Sequence, residues 1–473
     1  MERYDAVVVG SGPNGLAAAA TLADAGRSVL VVERATELGG GVRSMYLTEP
    51  GVTHDMCSTA HPMAALSPYF QTLPLEQHGL EWVQPPVPVA HALRPGEAAS
   101  LPRDLDEAVD SFGPDGPAYR KAMEPIVRDW PRLQEAILGP IPRLPRHPLS
   151  VARFGLRALP PATAATRRFS LESTRALYAG CAAHAFLPLG RPLTASFGWF
   201  LMATAHLAGW PLARGGSGSL GEALVSYLTA RGVEFRTDTE VASLDQLPPR
   251  TLTLLDVTPN QFARIAADRL PPGYLRRATR FVRGPGAFKL DAVTDAPIPW
   301  SDPALGEAGT VHLDGTLEEV TAAERDSFRG VHPDRPFILV VQATRFDPTR
   351  APDGTHTVWA YAHVPNGSTR DLTDHILDRI EAHAPGFRAT VRGVHTTDPA
   401  GLEAHNPNYQ GGDISGGAHT FTQLVFRPFP QRDPYATPLP GVYLCSSSTP
   451  PGAGTHGMCG HLAARSALAW TPN

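Results

Sequence analysis

The sequence predicts an α/β fold in which a parallel β-sheet with flanking helices is joined by a second, α+β region. The first reason is a βαβ unit at the start of the chain. Two aliphatic runs, 6–9 and 29–32, enclose a glycine-rich turn and an alanine-rich helix over 16–25, about the thirty residues that such a crossover needs. The second reason is that a glycine-rich turn before a helix recurs at 215–221, and again after the aliphatic run 441–445.

The segments between these elements have a different pattern. In the first, proline-rich turns separate predicted helices at 104–112, 118–138 and 170–185. In the second, runs rich in β-branched and aromatic residues predict strands of one sheet at 288–293, 308–313, 337–343 and 357–363. A predicted helix follows them at 372–383. We therefore expect one discontinuous domain from residues 1–66, 211–287 and 415–473, and a second domain from 67–210 and 288–414.

The composition is that of a globular protein. The 473 residues are 42% hydrophobic and 18% charged, and the net charge of −5 does not favour a nucleic-acid partner. Four cysteines are too few for a disulfide scaffold, so we expect reduced thiols in the cytoplasm. There is no uninterrupted apolar run of about 18 residues, so no transmembrane helix is expected. The histidines and cysteines lack zinc-ligand spacing, so no metal is expected.

The first motif is Gly10-x-Gly12-x-x-Gly15, which lies between the first strand and the first helix. Its glycines permit a tight turn, a close approach to a pyrophosphate, and close packing of helix on strand. The helix start, with Pro13 and Asn14 inside the motif, offers free N–H groups to phosphates. Glu33 follows the second glycine by 33 − 12 = 21 residues. There a carboxylate accepts hydrogen bonds from a ribose and disfavours a 2′-phosphate, although the neighbouring Arg34 weakens that second point.

A second glycine turn directly after the second strand favours FAD over NAD. It reads Leu-Gly-Gly-Gly-Val-Arg-Ser, and its expected cofactor contacts are Gly40, Gly41, Arg43 and Ser44. The glycines let the backbone pass close to the same pyrophosphate, and the arginine and serine can donate hydrogen bonds to phosphate or ribityl oxygens. Nicotinamide-binding domains do not need this segment.

A third glycine-rich loop, 446–460, leads into the final helix. A cluster of backbone N–H groups at a helix start suits the O2/N1 edge of a flavin, where negative charge gathers on reduction. The expected contacts here are Ser447, Gly457 and Met458, and Val241 is a further expected cofactor contact.

Together these motifs resemble the phytoene desaturase-like branch of the amine oxidase/GDI-type flavoproteins. The resemblance is closest to bacterial phytoene dehydrogenase-related oxidoreductases, akin to pyridine nucleotide-disulfide oxidoreductase domain 2 proteins. The segments that carry it are 8–15, 33–44, 55–58, 61–62, 284–289, 309–312 and 443–460. It implies a Rossmann-like FAD-binding domain, a discontinuous α+β substrate domain, non-covalent FAD, and a substrate over the flavin ring between the domains. The sequence departs from the family at Ser446, usually glycine, and at Ser447, where many relatives have an acid.

Four residues are candidates for the chemistry. By position in the family, His61 and His456 are expected near the flavin, where a histidine can accept a proton at neutral pH. His419 and Tyr409 belong to a turn-rich loop that is expected to line the pocket. The alternative for the histidines is a hydrogen-bonded structural role, and for the loop an ordinary surface position.

The function implied is an FAD-dependent dehydrogenase or oxidase that forms a C=C or C=N bond in a mostly apolar small molecule. A second dinucleotide motif is absent from the sequence, so O2 or a quinone is the expected electron acceptor. One alternative is a carotenoid-type polyene desaturase at a membrane, which the basic segment 143–157 would contact. Another is a non-catalytic GDI-like protein that binds a lipidated partner. The sequence names neither the substrate nor the oligomeric state.

Overall fold

The computed structural model describes residues 3–141, 143–313 and 315–471. Within them the strands are β1 (Tyr4–Val9), β2 (Val29–Val32), β3 (Ser44–Met45), β4 (His54–Asp55), β5 (Trp82–Val83), β6 (Val87–Arg94), β7 (Glu97–Leu101), β8 (Leu212–Ala213), β9 (Glu234–Arg236), β10 (Arg250–Leu255), β11 (Gly286–Thr294), β12 (Ala308–His312), β13 (Ile338–Val341), β14 (His356–Val364), β15 (Val391–Thr397) and β16 (Val442–Leu444).

The α-helices in the same ranges are α1 (Pro13–Asp24), α2 (Pro62–Ala65), α3 (Leu105–Ser111), α4 (Gly116–Ile137), α5 (Pro148–Ala158), α6 (Ala162–Ala165), α7 (Glu172–Ala183), α8 (Thr194–Ala208), α9 (Gly218–Thr229), α10 (Pro259–Ile265), α11 (Pro272–Thr279), α12 (Pro303–Gly306), α13 (Leu317–Phe328), α14 (Thr373–His383), α15 (Pro399–His405), α16 (Phe421–Val425) and α17 (Met458–Leu468).

The first sheet is parallel and has the order β16-β10-β1-β2-β9. Its strands come from the start, the middle and the end of the chain, and alternate side chains of β1 face opposite cores. Val8 packs with α1 and α17, whereas Val7 and Val9 pack against Phe262 of α10. Because both faces are covered at the centre of the sheet, residues 6–9 of β1 and 29–32 of β2 are continuous aliphatic runs without polar alternation.

The second sheet is mixed and has the order β15-β11-β14-β13-β12-β6-β7. The four runs predicted as strands of one sheet are β11, β12, β13 and β14, which are neighbours within it. Three further strands, β6, β7 and β15, were not predicted, and residues 67–210 are therefore not purely helical. For β6 the reason is that it carries Pro88 and two alanines and is buried on both faces, so neither β-propensity nor alternation marks it as a strand.

The predicted helices are present with boundaries that shift by one or two residues for most, since helix ends depend on local capping. Helix α8 was not predicted because it is buried almost all round and lacks a polar face. The helix α5 lies inside the proline-rich stretch, where turns were expected. In the described residues, no helix is both long and apolar enough to cross a membrane.

The two sheets share one buried core. A single apolar cluster joins Val8 and Leu254 of the first sheet to Val89 and Leu339 of the second. The carboxyl ends of the parallel strands open toward the second sheet, and this edge is where open α/β sheets bind ligands.

Candidate active site

A cavity of about 740 Å³ lies between the carboxyl edge of the first sheet and the second sheet. Its volume falls within the range of roughly 300–1,000 Å³ typical of ligand sites. One end is lined by the glycine turn around Gly12, and the other by aromatic side chains that include Trp359 and Phe197. The cavity therefore connects the predicted dinucleotide motif with an apolar chamber.

The first glycine turn places four predicted residues on the cavity wall: Gly10, Gly12, Pro13 and Asn14. Gly10 has a φ of +98°, which only glycine adopts readily. Gly15 lies behind the wall and does not line the cavity. A side chain at this position would collide with the carbonyl oxygen of Gly10, so only glycine fits. Its role in this structure is close packing of α1 on β1, one of the three roles that the motif predicts.

The second glycine turn packs directly on the first. A Cβ atom on Gly40 would lie 2.7 Å from the Cα of Gly12, so only glycine permits this approach. Gly40, Gly41 and Arg43 line the cavity. Ser44, predicted as a cofactor contact, does not: its hydroxyl donates to Asp55 Oδ1 at 2.7 Å and accepts the N–H of residue 218 at 2.9 Å.

At the end of β2, Glu33 lines the cavity together with Arg34 and Val241. Its Oε2 accepts hydrogen bonds from the N–H and hydroxyl of Ser11, each at 2.8 Å, and its Oε1 accepts the N–H of Ala35 at 2.9 Å. These bonds hold the carboxylate at the strand end with lone pairs left for a ribose. Arg34 extends away and donates to the backbone of α15 at 2.9 Å.

Asp256 was not predicted, although it directly follows β10 at the same edge. Its Oδ2 accepts the N–H of Gly15 at 3.0 Å, and the residue is 8% exposed. Burial, and then the nearby charge of Glu33, raise the pKa of Asp256 to about 7 from 3.8. The carboxyl group therefore titrates near neutral pH beside the phosphate-binding turn.

We expect Asp256→Asn to stabilise the FAD-free protein at pH 8 but not at pH 4. The folded state retains this proton up to pH 7, whereas the unfolded state loses it near pH 4, so stability falls as pH rises between the two values. The loss in the free energy of unfolding that this pKa shift causes is roughly 3–4 kcal/mol above pH 7. Urea unfolding at both pH values measures it, with the exposed Asp268→Asn as control. Equal pH dependence in both variants would contradict the assignment.

These residues fit the dinucleotide that the motifs predict. The side-chain oxygen of Asn14 is buried at the cavity wall without a hydrogen-bond partner in the described residues. The N-terminus of α1 points at the same wall, which suits a pyrophosphate. Glu33 would hold a ribose, and Arg43 and Ser447, which also line the cavity, would contact phosphate or ribityl oxygens.

The C-terminal loop contributes Ser447, Ala453, Gly454 and Thr455 to the wall. Three predicted residues of this loop lie behind it instead: His456, Gly457 and Met458. The chain turns into α17 with a φ of +66° at residue 457, and the ring of His456 folds back so that its Nδ1 accepts the N–H of residue 458 at 3.0 Å. That N–H is therefore engaged within the loop.

The other candidates for chemistry line the cavity. His61 Nε2 lies 2.7 Å from the hydroxyl of Ser217, which itself donates to the carbonyl of residue 58, so His61 donates and keeps a bare Nδ1. Burial lowers the pKa of His61 to about 4. His419 Nδ1 donates to the carbonyl of residue 185 at 2.9 Å, and burial, then Arg427, lower its pKa to about 3. Burial also raises the pKa of Tyr409, whose hydroxyl packs against the second glycine turn.

Several wall residues were missed from the sequence. Lys289 is one of only two lysines in the chain, is 2% exposed, and forms a buried ion pair with Asp291. Its ammonium lies 5.9 Å from the ring of Trp359. The strand period of two puts residues 287, 289 and 291 of β11 on one face, a signal that identifies the strand face but not the cavity. His184, which follows α7, is another such residue.

Comparison with known proteins identifies the family of the chain. The profile of the family described as "Flavin containing amine oxidoreductase" matches residues 14–459. "Pyridine nucleotide-disulfide oxidoreductase domain-containing protein 2" of Rattus norvegicus is 27% identical over 556 aligned positions, covering 98% of this chain and 92% of the rat protein. A limonene dehydrogenase component from Castellaniella defragrans is 31% identical over 140 positions, 30% of this chain and 25% of that one.

The fold is also found in solved structures. Cyclohexylamine oxidase from Brevibacterium oxydans superimposes with a TM-score of 0.61 and 17% sequence identity, over 98% of each chain. The family match begins within α1 and extends through the second glycine turn, the second sheet and most of the C-terminal loop, so it covers most of the cavity wall. The chain therefore belongs to the family of flavin-containing amine oxidoreductases, and it is an FAD-dependent oxidoreductase.

Proposed function

We propose that the protein is a dehydrogenase or oxidase that forms a C=C or C=N bond in a mostly apolar, uncharged small molecule. The observation that carries this proposal is the character of the inner chamber. Its walls are aromatic and aliphatic and come from α8, the turn that follows it and the second sheet: Phe197, Phe200, Leu201, Trp210, Leu339, Val341, Trp359 and Tyr361. Burial of apolar surface supplies the binding free energy in such a chamber.

The charges of the chamber also favour an uncharged substrate. Lys289 and Asp291 form a buried ion pair, so neither side chain is free to act as the counterion of a charged substrate. The histidines His61, His184 and His419 have pKa values lowered by burial to about 4, 3 and 3, so each is neutral at pH 7. A charged substrate would enter without a free counterion here, which is costly in a buried site.

Bound FAD supplies the acceptor, at its N5 atom, for the hydride that leaves the substrate. The side chains of the protein bind and orient the substrate and accept the proton. The aromatic walls orient the substrate and exclude water, and the neutral histidines can take the proton that is released with the double bond. We propose O2 or a quinone as the final electron acceptor, because the sequence holds one dinucleotide motif and that motif serves FAD.

Anaerobic bleaching of the flavin tests this proposal. The purified protein is mixed with hydrocarbons, neutral amines, alcohols and amino acids of matched carbon skeleton, and absorbance in the flavin bands is followed. We expect uncharged apolar compounds to bleach the flavin and charged amino acids to leave it oxidised. Re-admission of air then distinguishes an oxidase from a dehydrogenase. Bleaching by the charged compounds alone would contradict the proposed substrate class.

A membrane-associated polyene desaturase is the second candidate, favoured by one surface. Around α5, the side chains of Leu144, Leu149 and Leu156 are 99%, 81% and 77% exposed, with Arg146 and Arg153 among them. Exposed leucines beside basic side chains are typical of helices that lie on a membrane surface. Flotation with anionic liposomes measures this, with Leu149→Ser/Leu156→Ser as the control variant. A protein that stays in the lowest fraction has no such association, and the four free cysteines then fit a cytoplasmic location.

We also propose the division into an FAD-binding domain of residues 1–66, 211–287 and 415–473 and a substrate domain of 67–210 and 288–414. All strands of the first sheet come from the former segments. The strand β11 begins at residue 286 and crosses the proposed boundary at 287, so a boundary just before β11 agrees better with the second sheet.

A further inference from the structure

Four histidines from four separate parts of the fold, three of them buried and one partly buried, meet behind the inner chamber. His91 lies on β6, His184 follows α7, His312 lies on β12 and His363 lies on β14, and Glu324 of α13 completes the group. The sequence places these residues far apart. We call this group the histidine cluster.

Short contacts join its members. The Nε2 atoms of His184 and His312 are 3.3 Å apart, so one of the two donates to the other. The rings of His312 and His91 meet edge to face with their centres 5.9 Å apart. His363 Nδ1 lies 2.6 Å from Oε1 of Glu324, and the rings of His363 and His184 flank Phe337.

The cluster is costly for the fold. Nδ1 of His91, Nδ1 of His312, Nε2 of His363 and Oε2 of Glu324 are buried without a hydrogen-bond partner in the described residues. Unpartnered buried polar atoms cost about 1–3 kcal/mol each. Room for the rings also depends on Gly180 of α7, where a side chain would collide with two of them. An apolar core would be more stable, so the cluster needs a functional reason.

One member is in contact with the chamber. His184 is only partly buried and lines the cavity, whereas His91, His312 and His363 are fully closed off. The other two histidines of the chamber, His61 and His419, are 1% and 4% exposed. His184 is thus the histidine that a substrate in the chamber can best reach, and its ring has a second imidazole behind it.

We propose that His184 is the proton acceptor of the oxidation and that His312 is a positioning residue that shares the proton with it. This inference rests on the proposed function. When the substrate is oxidised, one C–H bond breaks and its electron pair leaves as a hydride to the flavin. A neighbouring C–H or N–H bond breaks, its electron pair forms the new π bond, and its proton goes to the His184–His312 pair. Reduction of O2 or a quinone would then consume two electrons and two protons, one proton from the flavin and one from the histidine pair.

The electrostatics of the cluster agree with this assignment. Burial, and then the neighbouring His363, lower the pKa of His184 to about 3, and burial lowers the pKa of His312 well below its usual value. Burial also raises the pKa of Glu324 well above its usual value. The imidazoles are therefore neutral at pH 7, and a proton on either ring is unfavourable before the substrate is oxidised. The positive charge they gain is offset by the electron pair that the flavin gains in the same cavity.

Chemical rescue tests the inference. Flavin reduction by a substrate that bleaches the wild-type protein is followed anaerobically by stopped flow. We expect His184→Ala to slow reduction about 10²–10⁴-fold, the usual contribution of a general base. Added imidazole should restore part of the rate, because the substitution leaves room for it in the chamber. His184→Gln fills that space and should stay slow with imidazole, and His312→Asn should be slowed without rescue.

His419→Ala is the matched control, since it removes another imidazole from the same chamber and should not respond to imidazole. Flavin content, circular dichroism and reduction by dithionite report whether each variant keeps its fold and cofactor. An unchanged rate in His184→Ala, or equal rescue of His419→Ala, overturns this inference alone. Failure of every compound to bleach the wild-type flavin overturns the proposed function, and this inference with it.

Discussion

Gly40→Ala is expected to yield a colourless protein. The added Cβ would lie 2.7 Å from the Cα and 3.2 Å from the backbone N of Gly12, so the two glycine turns must separate. The backbone N–H groups that face the pyrophosphate then move apart. Hydrogen bonds to charged groups contribute about 1.5–3 kcal/mol each, or roughly tenfold to a hundredfold in affinity. Absorbance of the purified protein and titration with FAD measure the loss.

Gly51→Ala is the matched control for this substitution. Gly51 also has a positive φ, +81° against +55° at Gly40, so both alanines carry backbone strain. Nothing lies within 4 Å of a Cβ at Gly51. We expect Gly51→Ala to retain its flavin. If both variants lose the cofactor equally, strain and not the approach of the two turns determines binding.

Arg350→Met is expected to destabilise the folded protein by about 3–5 kcal/mol, the usual cost of breaking a buried ion pair. The Arg350 side chain is 1% exposed and joins two carboxylates: its Nη1 is 2.5 Å from Asp55 Oδ2 and its Nε is 3.0 Å from Asp347 Oδ2. Burial alone would raise the pKa of Asp55, but Arg350 and the hydroxyls of Ser44 and Thr59 lower it on balance. Methionine would leave both charges buried and unpaired. Urea unfolding measures the change.

In this variant, the contribution of Asp55 to the free energy of unfolding should change with pH in the opposite direction. In the wild type, the lowered pKa of Asp55 gives stability that is present at neutral pH and lost only in strong acid. Without Arg350, burial dominates, and protonation of the carboxyl groups stabilises the fold as the pH falls. Arg392→Met, which breaks a surface pair with Glu49, should leave stability and its pH dependence nearly unchanged. Equal losses in the two variants would contradict the role given to Arg350.

Local patterns were enough to find the nucleotide end of the cavity. Gly10, Gly12 and Glu33 are close in sequence, and each has its role because of neighbours within about thirty residues, the length of a βαβ unit. The acid at the end of β2 and the second glycine turn were predicted for the same reason. At this end Ser44 was predicted as a contact but does not line the cavity, because its hydroxyl is bound to Asp55. A sequence motif does not show that another side chain, here Asp55, already binds the hydroxyl group that was expected to bind the cofactor.

The chamber end depends on contacts between distant segments. His184, Lys289 and Trp359 line one cavity because α7, β11 and β14 come together in the fold. Their spacing along the chain carries no signal of this, and β6, which brings His91 to the cluster, has no alternation to mark it. His456 shows the reverse case, since it belongs to the expected loop but one positive φ turns its ring away from the cavity.

The sequence alone determined the α/β class, the FAD cofactor and the position of the glycine turn at the start of α1, because glycine turns and strand periodicity act over short distances. The tertiary structure decided which side chains face the substrate. The orientation of each strand and loop decides which side chains face the cavity. This orientation depends on packing between elements that are hundreds of residues apart. The chamber, its buried lysine and its histidine cluster therefore exist only in the folded chain.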